Sequence, residues 1–424
     1  MRKALCKSVF SWVLLWCACG NLGARGTEPL DNFIYDPAVR SVQFHRMGNP
    51  LSFPMLTLGG GSRLELHFDE LRDPPTADYG VTFVHCNADW TPSDLIFSEF
   101  FDGISQDRLL TVRHSQGTQV SYNHYRYVFP NEQQRFKVSG NYVLKIFRGT
   151  DEEDLVLTRR FVITENKVQL RTNLGLSNTS GERFRLQAVN FELLPLNLPI
   201  QDPNSDFKIQ ILQNFRWDNR RMVGAPTNIW PGRLEYIFDA ATEFNGGNEF
   251  RLFDSRNTLQ AGFGVQEIQL GPDYMRCFLR PDRRRTSNAY LTEPDLNGAF
   301  IPGVRNMPDP EVSADYMNTY FRLLLPAPLE RPVYVFGQLT DWKLSEGYRM
   351  RWNPQGYYET EALLKQGVYN YIYVVDNGGP HPDETALEGT HAETENYYTI
   401  LVYWRRFGGR YDELIALRHV NFYE

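Results

Sequence analysis

The sequence predicts an all-β protein, built as tandem β-sandwich domains behind a cleaved signal peptide. Three observations carry this expectation. Aromatic residues make up 14% of the 424 residues and Thr and Val recur beside them, a composition suited to strands. Polar and apolar side chains alternate with a period of two along much of the chain, while windows with a 3.6-residue period are few. Turn-rich breaks divide the chain into blocks of ~100–140 residues, the size of a β-sandwich.

The N-terminus reads as a leader. Arg2, Lys3 and Lys7 form a basic start, and residues 9–18 form an apolar run too short to span a bilayer. Ala24 and Gly26 then supply small residues, which places cleavage after residue 26. Cys17 and Cys19 end the apolar run, but Trp16 does not suit a lipobox, so soluble export is expected. Losing the leader's four cations takes the formal charge from −7 to −11. An acidic body has no field to attract phosphate, which argues against a nucleic-acid partner.

Behind the leader, turn chemistry suggests domains over 27–166, 167–305 and 313–424, with a proline-rich break at 301–310. Residues 63–69, 183–188, 207–211 and 233–238 alternate cleanly and are expected to be strands. Strands near 142–147 and 157–164 close the first domain, with a turn at Gly140-Asn141. The tail over 412–420 fits a short helix or a strand equally well. No later run is long and apolar enough for a membrane helix. A transmembrane barrel needs alternation over ~9–11 residues, and here it breaks after six or seven. No direct membrane span is expected.

Chemistry-bearing residues are sparse. Cys86 and Cys277 are the cysteines beyond the leader, expected in different domains as two buried thiols rather than a disulfide. His85 and Cys86 are adjacent, so on a strand they point to opposite faces and cannot act as a nucleophile pair. His381, Asp383, Glu384, Glu388, His391, Glu393 and Glu395 lack metal-ligand spacing and read as an acidic surface loop. Arg276, Arg280, Arg283, Arg284 and Arg285 form a local basic patch, either a solvated loop or a candidate docking site for an acidic partner surface or lipid headgroups. No phosphate loop, nucleophile elbow or carboxylate pair is present. The chain is expected not to be an enzyme and to hold no cofactor or metal.

Two resemblances add to this. Residues 333–342 (VYVFGQLTDW) and 367–376 (GVYNYIYVVD) resemble early-set immunoglobulin-like modules that include glycogen-binding domains. Trp342 matches the first sugar-stacking Trp of those modules, but their Lys falls on Ile372 and their second Trp on about Gly379. The resemblance therefore implies the fold, and a carbohydrate-binding accessory protein is the alternative reading.

More of the chain is similar to the plug-protein family of the type IX secretion system. The matching segments are 28–42 (EPLDNFIYDPAVRSV), 84–90 (VHCNADW) with Ser93-Asp94-Leu95, Asn190-Phe191, 393–405 (ETENYYTILVYWR) and 411–415 (YDELI). The resemblance implies a periplasmic, non-enzymatic protein of β-sandwich domains, a monomer within a larger complex. Its implied partner is the outer-membrane translocon barrel, whose periplasmic end it closes when no cargo passes.

Overall fold

Alternation in sequence becomes hydrogen-bonded ladders in the computed structural model, which describes residues 30–72, 78–195, 198–237, 240–286 and 289–423. The expected signal peptide lies outside the described residues. Among the described residues α-helix is confined to three four-residue turns, Phe97–Phe100, Pro310–Ser313 and Thr385–Glu388. The ambiguous tail is a strand, Glu413–Asn421, paired antiparallel to Tyr397–Trp404.

Residues 33–164 form the first sandwich. One sheet runs in the order Val39–Arg46, Leu64–Glu70, Asn123–Phe129, Thr111–His114. The facing sheet runs Phe33–Ile34, Leu155–Thr164, Gly140–Arg148, Tyr79–Cys86, Asp107–Leu109. Between them Leu64, Leu66, Phe68, Phe83, Tyr142, Leu144 and Phe161 are buried, each worth ~1.5–3 kcal/mol of transfer from water. The turn expected at Gly140-Asn141 is instead the start of a strand, and the chain reverses over 149–154. Gly140 has φ +136°, and a Cβ there would meet His85 Nε2 at 2.6 Å. Glycine is required by that contact and conformation, not by a turn.

The second and third sandwiches depart from the domain boundaries expected at 167–305 and 313–424. The second pairs Gln169–Leu176, Leu186–Leu194, Arg233–Tyr236 and Asn228–Trp230 in one sheet. Its other sheet joins Arg221–Val223 and Phe207–Gln213 to the C-terminal strands Tyr397–Trp404 and Glu413–Asn421. The third is built mostly between them in sequence. Its strands order as Arg251–Asp254, Gly367–Val375, Val333–Phe336, Arg349–Asn353, Tyr357–Lys365, Tyr316–Leu324, Met275–Leu279, Val265–Gln269. The proline-rich break is not a linker, because Phe300–Pro302 pairs with Gly367–Val375 inside that sheet. Local turn composition marks chain reversals but carries no information on which distant strands pair. A smaller difference has a local cause: residues 183–185 lie in a turn held by Arg185 N donating to Glu182 O, so the strand starts at Leu186.

Candidate functional site

The segments singled out by sequence meet at the joint between the first and second sandwiches. Cys86, Ala88 and Trp90 share a buried cluster with Leu401, Tyr403 and Leu414. The joint is polar as well as apolar. Asp412 Oδ2 accepts from Ala88 N at 3.0 Å, Gln210 Nε2 donates to Ala88 O at 2.7 Å, and the Tyr403 hydroxyl donates to Asn141 Oδ1 at 2.7 Å. Trp90 is fully buried, edge-on to Trp217 at 4.7 Å, with the Arg160 guanidinium 4.5 Å above its ring. Bonds that run between sandwiches lock their relative placement, because each buried partner lost leaves another unsatisfied.

His85 and Cys86 are split by the strand, as alternation requires. His85 faces the inner side, where Nδ1 accepts from Ser93 Oγ at 2.8 Å and Nε2 donates to Ser139 O at 3.1 Å. Burial lowers its pKa to about 4. Cys86 lies on the opposite face, where burial pushes its thiol up to about 12. Cys277 is raised to about 12 for the same reason, and both thiols are free and buried. Thiols with so little thiolate are poor nucleophiles.

The segment over 381–395 is not a surface loop of free carboxylates. Asp383 Oδ1 accepts from Thr385 N and Ala386 N, and so starts the Thr385–Glu388 turn. Glu388 is 2% exposed, gripped by Arg251 at 2.9 Å and Arg285 at 2.7 Å. Those two guanidinium groups hold its carboxyl below the usual range despite burial. Arg285 is thereby removed from the predicted basic patch. Arg276, Arg280, Arg283 and Arg284 are exposed, and among the described residues their side chains make no ion pair.

Trp342 is the residue expected to stack on sugar. One side of its ring carries Arg216, whose guanidinium carbon lies 4.1 Å from the ring centroid. Arg216 is itself pinned by Asp218 and Glu384, both at 2.6 Å. A Cβ on Gly298 would lie 2.2 Å from the same ring, and Phe250 and Phe336 meet it edge-on. The ring is half-buried, with Arg216 on one face and packing against its edges. It borders a cleft of about 1180 Å³ where the three sandwiches meet, lined also by Phe44, Arg159, Trp217, Arg220 and Asp295. Burial raises Asp295 to about 7.

Sequence reasoning missed one cluster. His67, on Leu64–Glu70, and His124, on Asn123–Phe129, sit side by side on the outer face of the first sandwich. Glu311, from the Pro310–Ser313 turn, reaches both. No spacing rule joins positions 67, 124 and 311, so only the ladder register and the docking of the third sandwich bring them together.

With this geometry in place, comparison with known proteins is decisive for the first sandwich. Residues 39–165 match the family model of the type 9 secretion system plug protein first domain. The chain carries a plug first domain. A hypothetical protein from Parabacteroides merdae, known from a crystal structure, is similar over nearly its full length: 30% identity, TM-score 0.88, covering 93% of this chain and 100% of that one. The chain belongs to that protein's family. No curated protein gives a significant match. The plug match spans the first sandwich, while the whole-chain similarity extends across all three. The early-set likeness of the third sandwich has no counterpart in these matches.

Proposed function

We propose that this chain is a periplasmic plug of the type 9 secretion system, which binds the periplasmic end of the outer-membrane translocon barrel and closes it while no cargo passes. The observation that carries this reading is the plug first domain over residues 39–165. The physics of a stopper fits the fold. A stopper must keep its shape under load, and the first sandwich is tied to the second by the Trp90 joint rather than by a bare linker. It needs no nucleophile, and the His85–Cys86 pair is divided by its strand. No helix among the described residues is long and apolar enough to cross a membrane.

Release on arrival of cargo calls for a polar contact of moderate strength. The exposed guanidinium groups of Arg276, Arg280, Arg283 and Arg284 are the surface we assign to it. The test is affinity purification of an epitope-tagged chain from envelope extracts. Recovery of a very large outer-membrane barrel is expected. A deletion strain with normal secretion and no added permeability to small solutes would overturn the reading.

A further inference from the structure

We propose that His67, His124 and Glu311 form a binding site for a zinc-type divalent transition metal, which fastens the plug first domain to the third sandwich. His67 Nδ1 and His124 Nε2 are 3.2 Å apart. Two imidazole nitrogens on one tetrahedral zinc, each ~2.0–2.1 Å from it, stand ~3.3 Å apart. The Glu311 carboxylate faces both rings, one oxygen to each, with Oε1 3.8 Å from His67 Nδ1 and Oε2 3.6 Å from His124 Nε2, and a turn of this side chain brings one oxygen to the third corner. These edges exceed the ideal by only a few tenths of an ångström, within reach of a side-chain rotation. The three donor atoms lie within 4.8 Å of one another.

The nitrogen of each ring that faces away from this centre meets a carboxylate. His124 Nδ1 donates to Asp69 Oδ1 at 2.7 Å, and His67 Nε2 lies 3.5 Å from Glu65 Oε2. That is the arrangement by which proteins fix the tautomer and orientation of a metal-bound histidine. Asp69 is itself held, accepting from Tyr316 at 2.8 Å and Lys365 at 2.6 Å. Glu65 accepts from Arg126 at 2.6 Å, and Glu311 is bonded by Arg113.

The charge count also favours a cation. Around the centre Asp69, Asp309 and Glu311 face Lys365 and Arg113, so one negative charge is unmatched while Glu65 is balanced by Arg126. Both histidines are buried, at 8% and 5% exposure, whereas the Glu311 side chain is 40% exposed and opens a path for the ion. Two imidazoles and one carboxylate suit zinc and its neighbours rather than calcium or magnesium, which prefer all-oxygen shells. A second grouping, His45 with Glu65 and His67, is less suited. There His45 Nδ1 already bonds Arg46 O at 3.1 Å, so that nitrogen is engaged with the backbone.

The consequence is mechanical. The histidines belong to strands of the plug first domain and Glu311 to the segment leading into the third sandwich, so the ion bridges two parts of the chain that are distant in sequence. The experiment uses the tag-free mature chain, stripped with chelator and titrated with Zn²⁺ by calorimetry, with Co²⁺ absorption as a second probe. One Zn²⁺ per chain, a raised unfolding midpoint and the intense visible bands of four-coordinate Co²⁺ are expected. H67Q, H124Q and E311Q should each lower Zn²⁺ affinity by ~10–100-fold or more, since even an outer partner is worth that much. E311Q removes a half-exposed group and keeps the fold, and H381Q, an exposed histidine, should bind as the parent does. Absence of Zn²⁺ binding by the parent chain, or binding that survives all three substitutions, overturns the proposal.

Discussion

The ammonium of Lys365 lies 2.6 Å from Oδ2 of Asp69, and both side chains are at most 2% exposed. Asp69 belongs to the first sandwich and Lys365 to the third, so this pair is a buried ionic tie across their interface. Removing one member strands the other away from water. Lys365→Met is expected to destabilise the chain by ~3–5 kcal/mol, measured by chemical denaturation. The double variant with Asp69→Asn should recover part of that loss. Additive losses would show that the two groups do not interact.

Acid should weaken the fold in a defined window. His85 and His419 are both lowered to about 4 by burial, against an ordinary value of 6.5. Below 6.5 the unfolded chain takes up protons that the folded chain refuses until about pH 4, so stability falls as pH drops through that interval. At pH 5.5 each histidine accounts for ~1.2 kcal/mol of lost stability relative to neutral pH. A pH series of denaturation curves reads this directly, and H419Q should reduce the slope by about one proton.

The basic patch divides by environment. Charge reversal at Arg276, Arg280, Arg283 and Arg284 should reduce recovery of the barrel while changing stability by less than ~0.5 kcal/mol each. Arg285→Ala should do the opposite, because it leaves the buried carboxylate of Glu388 with one fewer partner. A loss of ~1–3 kcal/mol with unchanged barrel recovery is expected there. Equal effects from both sets would refute the assignment.

Arg216 is held by two carboxylates and lies over Trp342. Lysine cannot reproduce a planar fork that serves both, so Arg216→Lys is expected to cost ~2 kcal/mol or more in a thermal melt. Because Arg216 occupies one face of the half-buried Trp342 ring, affinity electrophoresis on starch or glycan gels should show no retardation of the parent chain. Retardation abolished by Trp342→Ala would favour the sugar-binding alternative.

Much of this was legible in the chain itself. Alternation over 63–69 and 207–211 identified strands because the side-chain period of a strand is two, whatever surrounds it. The same rule separated His85 from Cys86 and gave the all-β class. What alternation cannot say is what covers the polar face. Glu65, His67 and Asp69 read as the solvent side of a half-buried strand, yet every residue of Leu64–Glu70 is buried. Their cover comes from Glu311, Tyr316 and Lys365, more than 240 positions away. Glu388 was misread as a surface carboxylate for the same reason, since Arg251 and Arg285 reach it from elsewhere. Local sequence therefore determined strand identity and side-chain facing. Tertiary structure alone decided which strands pair across the 245–397 interval, which charges are buried, and that two histidines and a glutamate share one corner. Pairing of distant segments depends on the summed burial of whole sheet faces, and no single stretch of sequence carries that sum.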